Sequence, residues 1–209
     1  MFEQLLNAFI VLFVVIDPVG LVPMFVGLTP GVSEDHRRAL AWKGLALAAA
    51  ILLLFAFSGD DLLRILGIGL PAFKLAGGTL LFLLAIDMVF ARRSGLRSTT
   101  QREQAEAQGK EDISVFPLAF PLIAGPGALT TVLLMASGVR NRPMIFLGLL
   151  GVLVLVLGIT LLLLLLAGRI MRLLGETGAN VVSRLLGLIL AAMAAQFIID
   201  GIRASFLRG

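Results

Sequence analysis

Long apolar runs, each closed by charges or turn residues, divide this chain. They fall at roughly 4–28, 39–58, 70–91, 114–138, 143–167 and 181–206. Each is close to the ~20 residues a helix needs to cross a hydrocarbon core. The runs are rich in Leu and Ala and do not alternate in the manner of barrel strands. The pattern predicts an all-α, polytopic membrane protein of six transmembrane helices.

Six spans place both termini on one side of the membrane. The loops on the other side, 29–38, 92–113 and 168–180, hold Arg37, Arg38, Arg92, Arg93, Arg97, Arg102, Lys110, Arg169 and Arg172. The termini side holds Arg64, Arg140, Arg142, Arg203 and Arg208. Basic residues collect in cytoplasmic loops, so both termini are expected outside. The chain opens Met1-Phe2-Glu3 with no basic lead-in, and its first run reads as a retained helix rather than a signal peptide.

The longest strongly polar stretch, 92–113, has the composition of a disordered cytoplasmic linker. It divides the chain into a three-span unit over 1–91 and another over 114–209. The two units carry similar signals. The first span is broken by Asp17-Pro18-Val19-Gly20 and the fourth by Gly125-Pro126-Gly127-Ala128. Setting Pro18 on Pro126 also sets Leu21 on Leu129. Lys74, Leu75, Gly77, Leu80 and Ala85 fall on Arg184, Leu185, Gly187, Leu190 and Ala195. Three spans per unit is an odd number, so the second unit must cross in the opposite sense. Inverted repeats with paired broken helices are a common plan for secondary transporters.

Composition agrees with a lipid solvent. Hydrophobic residues make up 59% of the 209 and charged residues 14%, where a soluble domain carries roughly a quarter. Mean hydropathy is +1.04. Cysteine is absent, which excludes disulfides, thiol catalysis and thiolate metal sites. The net charge of +4 fits cytoplasmic loops rather than a nucleic-acid partner, since no basic patch interleaved with aromatics is present.

The breaks are the candidate substrate site. Proline inside a helix removes a donor and clashes with the preceding turn, at about 3 kcal/mol. Broken backbone at membrane depth persists only where it is buried in protein or lines a wet cavity. A break creates a half-helix N-terminus suited to a carboxylate and a half-helix C-terminus suited to a cation. A zwitterionic amino acid carries both groups. Asp17 lies about a dozen residues into the first span, where an ionisable group is expensive and usually functional. It is suited to a substrate ammonium, a coupling H⁺ or Na⁺, or to capping the next half-helix. Thr130 and Thr131 follow the second break by one turn. Their hydroxyls are placed for substrate or for bonding within their own helix. Gln196 is polar within the last span, for substrate or for bonding between helices.

Other polar residues read more plainly. Asp87 lies near Arg92 and Arg93, as an interfacial pair. Lys74 and Arg184 are placed to snorkel. Gly187, Ala191 and Ala195 form a packing stripe. The single histidine, His36, sits in a charged loop. No H-E-x-x-H pair, serine–histidine arrangement or phosphate-binding loop is present, so neither an enzyme nor a nucleotide-driven pump is expected, and no cofactor is implied.

The segments VVIDPVGLVPMF at 14–25, AFKLAGGTLLFLLAIDM at 72–88 and FPLAFPLIAGPGALTTV at 116–132 together resemble the MarC/SnatA family of membrane proteins, grouped as neutral amino acid transporters. The resemblance covers essentially the whole chain. It implies transport of small neutral amino acids such as alanine and glycine across the bacterial inner membrane. Carried onto this chain, its motifs point at Asp17, Pro18, Gly20, Pro23, Gly125, Pro126, Gly127 and Thr130. Two rivals stand beside transport. One is an uncoupled channel with the same fold, and the other is a membrane scaffold or regulatory protein with no amino acid substrate.

Overall fold

The computed structural model describes residues 2–91 and 112–206. The polar linker at 92–113 therefore lies almost wholly outside the described residues, as do Arg92, Arg93, Arg97, Arg102, Lys110 and Arg208. The described chain is all-helical, with no strand among its residues. Its elements are α1 (Phe2–Ile16), α2 (Pro18–Leu28), α3 (Glu34–Ile65), α4 (Leu70–Phe90), α5 (Ser114–Ile123), α6 (Pro126–Val139), α7 (Pro143–Leu165) and α8 (Ala167–Phe206). Five stretches, with α1 and α2 taken together, are long and apolar enough to cross a membrane. The pair α5 and α6, bent by 58° at their junction, makes a sixth.

Local chemistry sets the ends. Ser33 caps α3, its hydroxyl accepting the His36 N–H at 3.4 Å. Glu34 and Asp35 follow in the first turn, where negative charge opposes the helix dipole. Gly67 closes α3 at φ +68, with the Ile68 N–H returning to the Leu63 carbonyl, a left-handed helix ending that glycine adopts freely. Pro71 and Pro143 lie in the first turns of α4 and α7, where the missing N–H has no partner to lose.

Three boundaries differ from the sequence reading. The second span is a 32-residue helix, Glu34–Ile65, not 39–58. Its charged ends stay helical beyond the apolar run, with Glu34 and Asp35 favourably placed in the first turn and Arg64 in the last. The expected loop 168–180 is helical. Residues 167–206 form α8, turned once at Gly175, whose φ of +64 only glycine takes without strain. The opening of the fourth span is less regular than expected. Phe116 and Phe120 have extended backbones inside α5. Each precedes a proline, Pro117 and Pro121, and proline drives the residue before it out of the helical region.

Packing centres on the broken spans. Leu12, Ile16, Leu21, Val22 and Phe25 of α1 and α2 are fully buried, as are Leu118, Ala119 and Ile123 of α5. α3 runs parallel to α5 and α6 along the bundle. Gly44 lies under Leu118 and Gly59 under Leu133. α4 and α8 pair antiparallel over their length. Gly78 faces Ala194 and Ile198, Gly187 faces Met88 and Val89, and Gly201 faces Pro71 and Leu75. Small residues permit this close approach, and van der Waals contact holds the pair in lipid. Outward-facing apolar side chains, among them Leu54, Leu147, Val154, Leu162 and Leu188, are exposed and suit a hydrocarbon solvent.

Candidate functional site

The first break is a single residue. Asp17 takes a left-handed conformation, φ 46 and ψ 66, between α1 and α2. That region is uncommon for a residue with a side chain, though Asp tolerates it through local hydrogen bonds. Its N–H still closes α1 onto the Phe13 carbonyl at 2.9 Å, and its own carbonyl accepts the Leu21 N–H at 3.2 Å. The carboxylate is 2% exposed and engaged on both oxygens. Oδ1 accepts the Gly20 N–H at 3.0 Å, capping α2. Oδ2 accepts the Ser183 hydroxyl at 2.9 Å.

Ser183 comes from α8, at the far end of the chain. The sequence reading did not single it out, since one serine on an apolar helix carries no periodic signal. Gly20 explains itself here. A Cβ at that position would overlap the Asp17 carboxylate and approach the Ser183 Oγ to 2.5 Å. Pro18 occupies the first turn of α2, and Pro23 sits inside that helix, with no N–H to give the carbonyl one turn earlier.

The second break is built differently. Ala124 and Gly125 separate α5 from α6. Gly125 precedes Pro126 in an extended conformation, and no side chain caps α6. A Cβ on Gly125 would strike the Pro121 carbonyl, so the chain turns there only as glycine. The first half-helix N-terminus is thus occupied by its own carboxylate, whereas the second presents N–H groups without one.

The end of α1 packs against the second break. Val15, two residues before Asp17, lines a small cavity with Leu84, Pro121, Gly125, Pro126, Gly127 and Ala128. A Cβ on Gly127 would lie 3.6 Å from Val15 Cγ1 and 3.1 Å from both Leu81 and Leu84. The cavity volume is ≈ 10 Å³, about the space one water needs. Asp17 is not among its lining residues. Its carboxylate turns toward α8.

The remaining predicted residues divide. Thr130 is buried with its methyl pressed against Gly77 of α4. Thr131 is 0% exposed, and its Oγ1 has no hydrogen-bond partner. Gln196 is not brought to the breaks. Its side-chain amide donates to Asp200 Oδ1 at 2.8 Å on an exposed stretch of α8. Asp87 is half-buried near the end of α4, while Arg92 and Arg93, its expected neighbours, lie outside the described residues.

Ion pairs join α3 to its neighbours at two levels. In its first half Lys43 pairs with Asp112, which also accepts the Ser114 N–H at 3.0 Å and the Ser114 hydroxyl. The Lys43 ammonium, with Ser114, holds the Asp112 carboxyl far below the usual carboxylate range. Near the C-terminus of α3, Arg140 donates to Asp61 Oδ2 at 2.7 Å and to the Phe57 carbonyl at 3.3 Å. Arg64 bonds Asp60 at 3.2 Å and Asp61 at 3.0 Å.

Comparison with known proteins agrees with this architecture. The chain is 40% identical to the UPF0056 membrane protein MJ1677 of Methanocaldococcus jannaschii, over 98% of each chain. It is 36% identical to the UPF0056 membrane protein YvbG of Bacillus subtilis, over 99% of this chain and 97% of that one. Identity to the UPF0056 inner membrane protein YhgN of Escherichia coli is 35%, over 96% and 97%. No solved structure matches. Residues 2–206 match the family described as MarC family integral membrane protein, and this multi-pass chain belongs to that family.

Proposed function

We propose that the chain is a secondary transporter of small neutral amino acids, alanine and glycine being the first candidates, in the cell membrane. The observation that carries this reading is the packing of the second break against the end of α1. Val15, two residues before the first break, and Gly125 to Ala128 of the second line one cavity. Broken spans set close to one another are the form of transporter substrate sites.

The substrate carboxylate belongs at the N-terminus of α6. Gly125 leaves that end without a side-chain cap, and Gly127 lets a ligand approach the backbone. The ammonium belongs with the half-helix C-termini of α1 and α5, where the helix dipole favours a cation. Asp17 holds α2 in place beside them and adds a negative charge to the same region. In the described conformation the cavity is smaller than any amino acid. Binding then requires that α5 or α6 move.

Purified protein in liposomes tests this. Labelled alanine or glycine is expected to enter, and an imposed H⁺ or Na⁺ gradient should drive accumulation above equilibrium. Entry that stops at equilibrium would turn the reading toward a channel. No entry of any neutral amino acid would remove it.

A further inference from the structure

The two ion-pair groups on α3 are placed as a matched pair. Lys43 and Asp60 are seventeen positions apart, roughly 26 Å along the helix. That length approaches the ~30 Å thickness of a hydrocarbon core. The groups therefore bracket the membrane, one near each face. Both reach from α3 to the broken span of the second half. Lys43 holds Asp112, immediately before α5. Asp61 holds Arg140, immediately after α6. Between them Gly44 and Gly59 let α3 lie close against Leu118 and Leu133. The bend at Ala124 and Gly125 falls between the clasped ends, beside the small cavity.

We propose that these are two gates. Releasing Lys43 from Asp112 frees α5 to swing about the bend and opens the cavity to that face alone. Releasing Arg140 from Asp60 and Asp61 frees α6 and opens it to the opposite face. Both clasps are made in the described structure, and the cavity beside the bend is too small for an amino acid. The carboxylates and cations are partly exposed, between 33% and 57% at the bridging pairs, so water can replace each partner when a clasp opens.

The inference rests on the transport reading for its purpose, but its test does not need a substrate. The chain has no cysteine, so Val15→Cys places one thiol on the cavity wall. Single-cysteine protein is labelled with a membrane-impermeant maleimide in right-side-out and in inverted vesicles. Lys43→Gln is expected to raise the labelling rate about two- to fivefold from one face, and Arg140→Gln to raise it similarly from the other. The swapped pair Lys43→Asp with Asp112→Lys should return labelling toward the parent rate. Opposite-faced responses support the gates. No change in either variant, or labelling that rises from both faces at once as in a loosened fold, overturns them. Failure of amino acid uptake in liposomes with opposite-faced labelling intact would sink the substrate assignment and leave the gates standing.

Discussion

The Ser183 hydroxyl donates to Asp17 Oδ2 at 2.9 Å across 166 positions of sequence. That bond ties the break in the first span to the last helix, and it fills the one carboxylate oxygen that the α2 cap does not use. Ser183→Ala removes the Ser183 donor from a buried carboxylate. The expected loss is about 1–3 kcal/mol of stability, read as a lower unfolding temperature in detergent. Ser183→Thr keeps the hydroxyl and should recover most of it.

Asp17→Asn separates capping from charge. The amide oxygen still accepts the Gly20 N–H, so unfolding should shift by only about 1 kcal/mol. Transport should fall more than tenfold if the charge serves the cargo or a coupled cation. Full activity in Asp17→Asn would assign the residue to the cap alone.

Gly20→Ala places a methyl group on top of the Asp17 carboxylate. The carboxylate cannot retreat without leaving both of its donors. A loss of about 2 kcal/mol or more is expected, visible as poor yield of folded protein. Gly27→Ala is the control on the same helix. Nothing lies within 4 Å of its added carbon, and it should fold normally.

Gly77 and Thr130 should behave as a coupled pair. Gly77→Ala overlaps the Thr130 methyl and should destabilise, and Thr130→Ser removes that methyl and should rescue it. A coupling of about 1 kcal/mol or more in the double-mutant cycle is expected. Strict additivity would mean that α4 and α6 do not touch there.

Thr131 gives a prediction of mixed sign. Its hydroxyl is buried without a partner, so the near-isosteric Thr131→Val should raise stability by about 1 kcal/mol. If that hydroxyl is reserved for cargo, uptake should fall in the same variant. Higher stability with unchanged uptake would remove Thr131 from the site.

The Lys43–Asp112 pair fixes a pH window. The folded carboxyl is depressed, so its contribution is complete above the ordinary Asp value near 3.9 and is lost only as pH falls through the lower folded value. A carbon-13 titration of Asp112 should show its midpoint well below that ordinary value. Lys43→Gln should move it back up.

Much of this was readable in the sequence, for physical reasons. Spans are legible because lipid demands about 20 apolar residues in a row, and the breaks because Pro18 and Pro126 interrupt such rows. The ends of α3 were not legible, since charged residues that continue a helix into the interface carry no apolar signal. The helical stretch at 168–180 was hidden by Gly175, which turns the chain without ending helical structure on either side. Ser183 was invisible for a different reason. Its importance lies in which helix faces Asp17, and that is settled by packing over the whole bundle. Gln196 also depends on its local surroundings. Polarity inside an apolar run pointed inward, whereas the side chain finds Asp200 one turn further along its own helix.

The pairing of α4 with α8, and of α3 with α5 and α6, has a consequence for biosynthesis. Each half of the polypeptide presents its small-residue surfaces to the other half, as two interlaced combs do. The earlier-made half must wait in the bilayer with those surfaces against lipid until the later one emerges. Neither half on its own would be a finished object, and severed halves would regain form only by finding each other.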